Sequence, residues 1–380
     1  MLADLLEKKE KKVEYLELIY DLIFVYIIGR NNSLLHPTES GFVEWNGFFA
    51  YILCTLAVIQ IWNYTTYYIN IYGRNGVREH VFIFSNMFLL FFVAEGTRTH
   101  WDAFHTQYHI AWALILCNIA VQYLLELRSC PRGAVQRVHN RRQATVLFLQ
   151  AALVLGAIAE YFFLKTSVLT VTAILGGIVL TMLLGKNKGE DTVDFPHLSE
   201  RAMLYVVFTF GEMIIALAAY FEGDLSLSSL YFSSMGFLIV VGLFLSYGIL
   251  YDHLIDRERK TNGLGYMLLH VFLIFSLNNI TTALEFMRDE KVALLPKMLF
   301  LTLSLLLYYG MMLALSGSAK RGCRPSPSSF ALMAGGGVLF FALMLLFREN
   351  MYVNIALTAV FVFAVFLLLF RFYKKAERTL

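Results

Sequence analysis

Runs of about 20 mostly apolar residues, the length that crosses a bilayer as a helix, recur along this chain until little else is left of it. Twelve can be placed, over residues 14–34, 46–71, 79–97, 108–127, 143–164, 167–185, 198–220, 229–251, 263–287, 293–316, 330–347 and 351–373. Hydrocarbon offers no water to backbone groups, so runs of this length are expected as helices that bond internally. Composition agrees. The chain is 58% hydrophobic and only 16% charged, with a mean hydropathy of +0.62, whereas a soluble domain carries about a quarter charged residues. The reading is an all-α polytopic membrane protein of about twelve transmembrane helices, and a soluble globular protein is excluded.

Orientation follows from the basic residues. With the N-terminus in the cytoplasm, 24 of the 31 Lys and Arg residues fall on the inner side, Arg201 counted among them. That bias places both termini in the cytoplasm, with an even number of spans in the inner membrane. The net charge of +3 is then explained by orientation and by attraction to anionic lipid, so the bilayer is the expected partner and nucleic acid is not. No cleavable signal peptide is expected, because the N-terminus opens on a charged segment. The four cysteines form no disulfide framework: Cys54 and Cys117 lie in spans, Cys130 and Cys323 on inner loops. No metal or redox cofactor is implied.

The chain then restarts half-way. Shifting the third run by 190 residues lays His80 on His270, Val81 on Val271, Phe82 on Phe272 and Glu95 on Glu285, and shifting the first by 191 lays Asp21 on Glu212. Similar offsets in separate helices indicate two six-helix repeats. An even number of spans per unit makes them parallel, related by an axis along the membrane normal. The expected organisation is a cytoplasmic segment 1–13, a first repeat 14–190, a second repeat 191–373 and a cytoplasmic tail 374–380.

Ionisable residues inside these runs need a reason, since charge in hydrocarbon is costly. Glu14, Glu17 and Asp21 share one helix face at i, i+3 and i+7. If the repeat axis brings Asp21 and Glu212 together, two carboxylates there would repel and one would hold a proton or cation. The plainer reading makes them packing groups bonded to hydroxyls or an Arg. Glu17 suits a helix start. His80 and His270 could carry protons, each paired along its helix with Glu95 or Glu285, fifteen residues and about 22 Å away. Trp62 reads as core or belt. Asn278, Asn279, Thr281 and Thr282 either coordinate a solute or join helices. An outer loop with His36 and Pro37 follows the first run, and one with His100, Trp101, His105 and His109 reads as an interfacial belt. Asp194 is placed to cap the seventh helix with Pro196 in its first turn, and Gly335, Gly336 and Gly337 suit close helix contact. No nucleophile and base stand together, so no enzyme is expected.

Three stretches, ELIYDLIFVYII (17–28), WNYTTYYINIYGRN (62–75) and ERAMLYVVFTFGEMIIAL (200–217), carry a resemblance to the bacterial low temperature requirement A family. SYGILYDHL (246–254) with His270 is similar to a fourth family stretch. The family has more acidic character after the second helix, where this chain has the basic NIYGRNG, so an acidic role there is not carried over. The resemblance implies a multi-spanning inner-membrane protein. The expected function is a proton- or cation-coupled transporter or channel-like protein for a small solute or ion. The alternative is a non-transporting sensor or scaffold that supports growth in the cold.

Overall fold

The computed structural model describes residues 11–35, 41–95, 101–129, 134–185, 193–221, 226–320, 322–324 and 326–377. The expected positions of His36, Pro37, His100 and Cys130, the repeat junction at 190 and the chain ends at 1–10 and 378–380 lie outside them. Among the described residues there is no strand, and twelve α-helices form: α1 (Tyr15–Asn31), α2 (Trp45–Tyr72), α3 (Val77–Glu95), α4 (Trp101–Glu126), α5 (Val135–Leu164), α6 (Val168–Gly185), α7 (Phe195–Leu217), α8 (Leu227–Ile249), α9 (Leu264–Arg288), α10 (Leu294–Leu315), α11 (Pro327–Leu346) and α12 (Met351–Glu377). Every expected run is a helix.

Nine of the helices described are long and apolar enough to cross a membrane. The other three fall short for visible reasons: α1 has 17 residues, α6 is a shorter apolar helix over Val168–Leu183, and α7 carries Glu200, Arg201 and Glu212. Two starts differ from expectation. Helix α4 begins at Trp101, taking in His105 and His109 that were placed on a loop, because no Gly or Pro interrupts that stretch. Helix α5 begins at Val135 and runs 30 residues, about 45 Å, enough to carry Arg137, Arg141 and Arg142 beyond the hydrocarbon to headgroup level.

The chain divides into two compact units: Met1–Leu35, Trp45–Ala202 and Arg257–Met267 form one, and His36–Glu44, Met203–Asp256 and Leu268–Leu380 the other. In the first unit α1 packs on α2 and α3, α4 on α2, α3 and α5, and α6 on α2 and α5. Its core is aromatic, with Trp62, Trp112, Tyr20, Tyr51, Tyr108 and Phe24 buried. A chain of polar groups crosses it: Tyr64 donates to Gln150 at 3.0 Å, Gln150 to Gln60 at 2.8 Å, and Gln60 to the Ile174 carbonyl of α6 at 3.1 Å. Helix α6 comes this close because residue 177 is glycine. A Cβ there would stand 2.6 Å from the Tyr64 hydroxyl and 2.7 Å from both glutamine amides.

In the second unit α8 packs along α12, and α11 on α10 and α12. Gly242 lets α8 approach Val362, which a Cβ would meet at 2.5 Å. Of the three glycines in α11, Gly337 abuts Leu306, 3.1 Å from where its Cβ would lie, and Gly335 and Gly336 face open space. Helix α8 ends in a single π turn, Leu250–Leu254. There the backbone is tied to the end of α10: the Asp256 N–H donates to the Ser318 carbonyl at 3.0 Å and the Lys320 N–H to the Leu254 carbonyl at 2.9 Å, around an isolated bridge between Ile255 and Ala319.

Candidate functional site

Helix α1 presents Glu17 and Asp21 one turn apart on its buried face, and the first two turns of α7 answer with His197 and Arg201. All four side chains are buried within the first unit. Arg201 spans both acids, donating through Nη1 to Glu17 Oε2 and through Nη2 to Asp21 Oδ1 at 2.6 Å. Trp62 of α2 donates its indole N–H to the same Asp21 oxygen at 2.8 Å. Glu17 also accepts at Oε1 from the Glu14 backbone N–H at 3.4 Å, so it serves the helix start as expected while belonging to the buried cluster. Ion pairs withdrawn from water in this way stand only when their hydrogen bonds are nearly complete. Asp21 Oδ2 and Arg201 Nε are the two atoms of this group with no partner among the described residues.

The His197 ring is oriented by its neighbours. The Asn70 amide is oriented by the backbone of Asp194: its Oδ1 accepts the Asp194 N–H at 3.0 Å and its Nδ2 donates to the Asp194 carbonyl at 2.7 Å. That same Nδ2 faces His197 Nδ1 at 3.0 Å, so Nδ1 accepts. Nε2 then faces Glu17 Oε1 at 3.3 Å. Two carboxylates are held against one guanidinium.

Lys11 and Asp194 flank the cluster. The Lys11 ammonium donates to the Ile69 carbonyl near the end of α2, where cations suit the helix dipole. Burial lowers the Lys11 pKa against the upward pull of Glu17, Glu79 and Asp194. Asp194 caps α7 as expected, its Oδ1 accepting from the His197 N–H at 3.2 Å.

The other candidate residues stand elsewhere. Glu95 pairs with Arg30 at 3.3 Å, and His80, half-buried, lies 3.2 Å from the Tyr15 hydroxyl. In the second unit, His270 is buried and its Nε2 lies 3.0 Å from the Tyr247 hydroxyl. Glu212 and Glu285 both belong to the second unit, and Asp21, the expected partner of Glu212, to the first. Thr281 donates to the Leu277 carbonyl of its own helix at 3.0 Å, and Thr282 to the Asn278 carbonyl at 3.4 Å. His105 and His109 are buried in α4 rather than lying on a loop. The His105 ring stacks on His109 at 3.9 Å and on Tyr161 at 4.0 Å, while His109 meets Thr170 at 3.0 Å. Among the described residues no group of three or more His, Cys, Asp or Glu side chains is placed to hold a metal ion.

Arg201, His197 and the donor role of Trp62 are the parts that residue-level reading did not find. Arg201 was counted only as one of the basic residues of the inner side, and it is wholly buried. The available signal was its place inside the expected run 198–220, four residues after His197 and so on the same helix face. The family model described as bacterial low temperature requirement A protein matches residues 12–374. No curated protein matches the chain.

Proposed function

This chain belongs to the bacterial low temperature requirement A family, and from that premise we propose that it is a transporter or channel-like protein for a proton, a small cation or a small solute. The excess acid of the α1–α7 cluster carries this reading. Glu17 and Asp21 are two carboxylates against the one guanidinium of Arg201, and Asp21 Oδ2 has no partner among the described residues. A buried carboxylate in that position is relieved by taking up a proton or a cation. Asp21 is the acceptor, and Arg201 and Trp62 hold it in place. No enzymatic activity belongs to this reading.

The bacterial inner membrane with both termini cytoplasmic is the proposed setting, on the weight of the basic residues. Two parallel six-helix repeats are the proposed architecture. Supporting it, the fourth helix of each half donates a tyrosine hydroxyl to a carbonyl of the second: Tyr108 to Cys54 at 3.2 Å, and Tyr308 to Leu243 at 2.9 Å. The second helix of each half also packs on the sixth, α2 on α6 and α8 on α12.

The test is flux in proteoliposomes under an imposed pH gradient, read by an entrapped pH dye with Na⁺ and K⁺ as trial cations. Asp21→Asn keeps an acceptor for Trp62 and Arg201, and it is expected to fold while abolishing pH-dependent flux. Flux equal to wild type would remove the proposal. A second reading, a non-transporting sensor or scaffold, is favoured by the protein donors that reach both Glu17 oxygens and Asp21 Oδ1. On that reading Asp21→Asn lowers the melting temperature and no flux is seen in either protein.

A further inference from the structure

An apolar crevice of about 450 Å³ opens between α10, α11 and α12, lined by Leu303, Tyr309, Gly310, Ala334, Gly337 and Phe361 among others. A smaller cavity of about 80 Å³ continues it, lined by Leu250, Leu254, Ser316, Ser329, Leu368 and Phe372, and Leu313 and Met333 wall both. Along α10 the two run from Leu303 to Ser316, about 20 Å at 1.5 Å per residue. One leaflet of a bilayer ~40–45 Å thick with its headgroups is ~20 Å deep. The void is therefore one leaflet long, within the size range of small-molecule sites, and apolar until its last turn.

That last turn is polar and basic. Lys320 is pinned there, its N–H bonded at 2.9 Å to the carbonyl of the cavity residue Leu254. Leu368, Phe372 and Lys375 follow one face of α12 at i, i+4 and i+7, so Lys375 extends the cavity wall by one turn. Ser329 lines the cavity in the first turn of α11, where Ser326 accepts its N–H at 3.2 Å and the helix dipole favours an anion. Of the acids at this end, Glu377 is engaged by Lys374 at 2.9 Å, and Asp256 follows the π turn, its N–H on the Ser318 carbonyl.

We propose that this crevice is a binding site for one anionic phospholipid, with an acyl chain along α10–α11–α12 and the phosphate between Lys320, Lys375 and the start of α11. An apolar channel with cations at one end complements an anionic headgroup on a hydrocarbon tail, and basic pockets between transmembrane helices bind such headgroups. The site rests on the orientation proposed above only in naming its leaflet as the cytoplasmic one.

Native mass spectrometry of the full chain, titrated with phosphatidylglycerol and with phosphatidylcholine of the same chains, tests this. Phosphatidylglycerol is expected to bind more tightly, and Lys320→Ser with Lys375→Ser to weaken it about fivefold per lysine. Gly310→Leu fills the crevice from a position where a Cβ meets nothing within 4 Å, and it is expected to abolish binding with the melting temperature unchanged. Ala334→Leu repeats that test if Gly310→Leu does not fold. Equal binding of the two lipids, binding that survives the filled crevice, or displacement of lipid by millimolar inorganic phosphate would each overturn the proposal. A dimer that the filled crevice splits would overturn it too, marking the face as an interface between copies.

Discussion

Arg201 is the one permanent cation between Glu17 and Asp21, and removing it strands two carboxylates where water does not reach them. Breaking a buried pair by deleting one partner typically costs about 3–5 kcal/mol, and Arg201→Met is expected to cost that much by reversible unfolding in mixed micelles. Replacing Glu17, Asp21 and Arg201 together with leucine should recover most of the loss, because the stranded charges go too. A single variant as stable as wild type would show that the cluster contributes nothing to holding α1 on α7. At this scale the sequence was legible by halves. The acids at 17 and 21 stood out because carboxylates are rare in a membrane-length run. Their partner did not, because a basic residue near the start of a span reads equally as a loop charge and as a buried one. His197 was passed over for a similar reason: its role depends on Asn70, 127 residues away in the chain.

Helix positions are the part of this molecule that composition dictates most strongly, since a backbone in hydrocarbon has nowhere but itself to bond. The capping of α7 by Asp194 was likewise readable, as a short acid before a Pro in the first turn. The early start of α4 was not, because histidines suggested an interface where His105 in fact stacks on His109 and Tyr161. Nor was the part played by Gly177, which a helix rich in small residues disguises as ordinary packing. Gly177→Ala is expected to push apart the Tyr64, Gln150 and Gln60 groups and to cost about 1–3 kcal/mol for the polar atoms left unpaired. The same unfolding measurement checks it. Gly176→Ala is the control: its Cβ would meet nothing within 4 Å and should change little.

For the whole molecule, the decisive quantity is the distribution of positive charge. Setting the buried Arg201 aside takes one residue from the inner-side count and leaves the bias intact. Both ends are therefore expected in the cytoplasm: a fluorescent reporter fused after Leu380 should mature, and an alkaline phosphatase fused after Lys165, between α5 and α6, should be active outside. Activities reversed between the two would invert the topology. The proposed repeat rests on offsets of 190 and 191 residues, and the compact units are built from interleaved segments, one of which ends at Ala202. Contacts between neighbouring helices, which the offsets do not encode, decide where a unit closes.

Arg201 follows Asp21 by 180 positions, and this separation matters while the ribosome is still at work. At about 5–20 residues per second, α1 waits some 10–40 s after emerging before its counter-charge is synthesised. During that interval two acids must stay at the aqueous boundary or shelter in the insertion machinery, so α1, made well before α7, is among the last helices to settle.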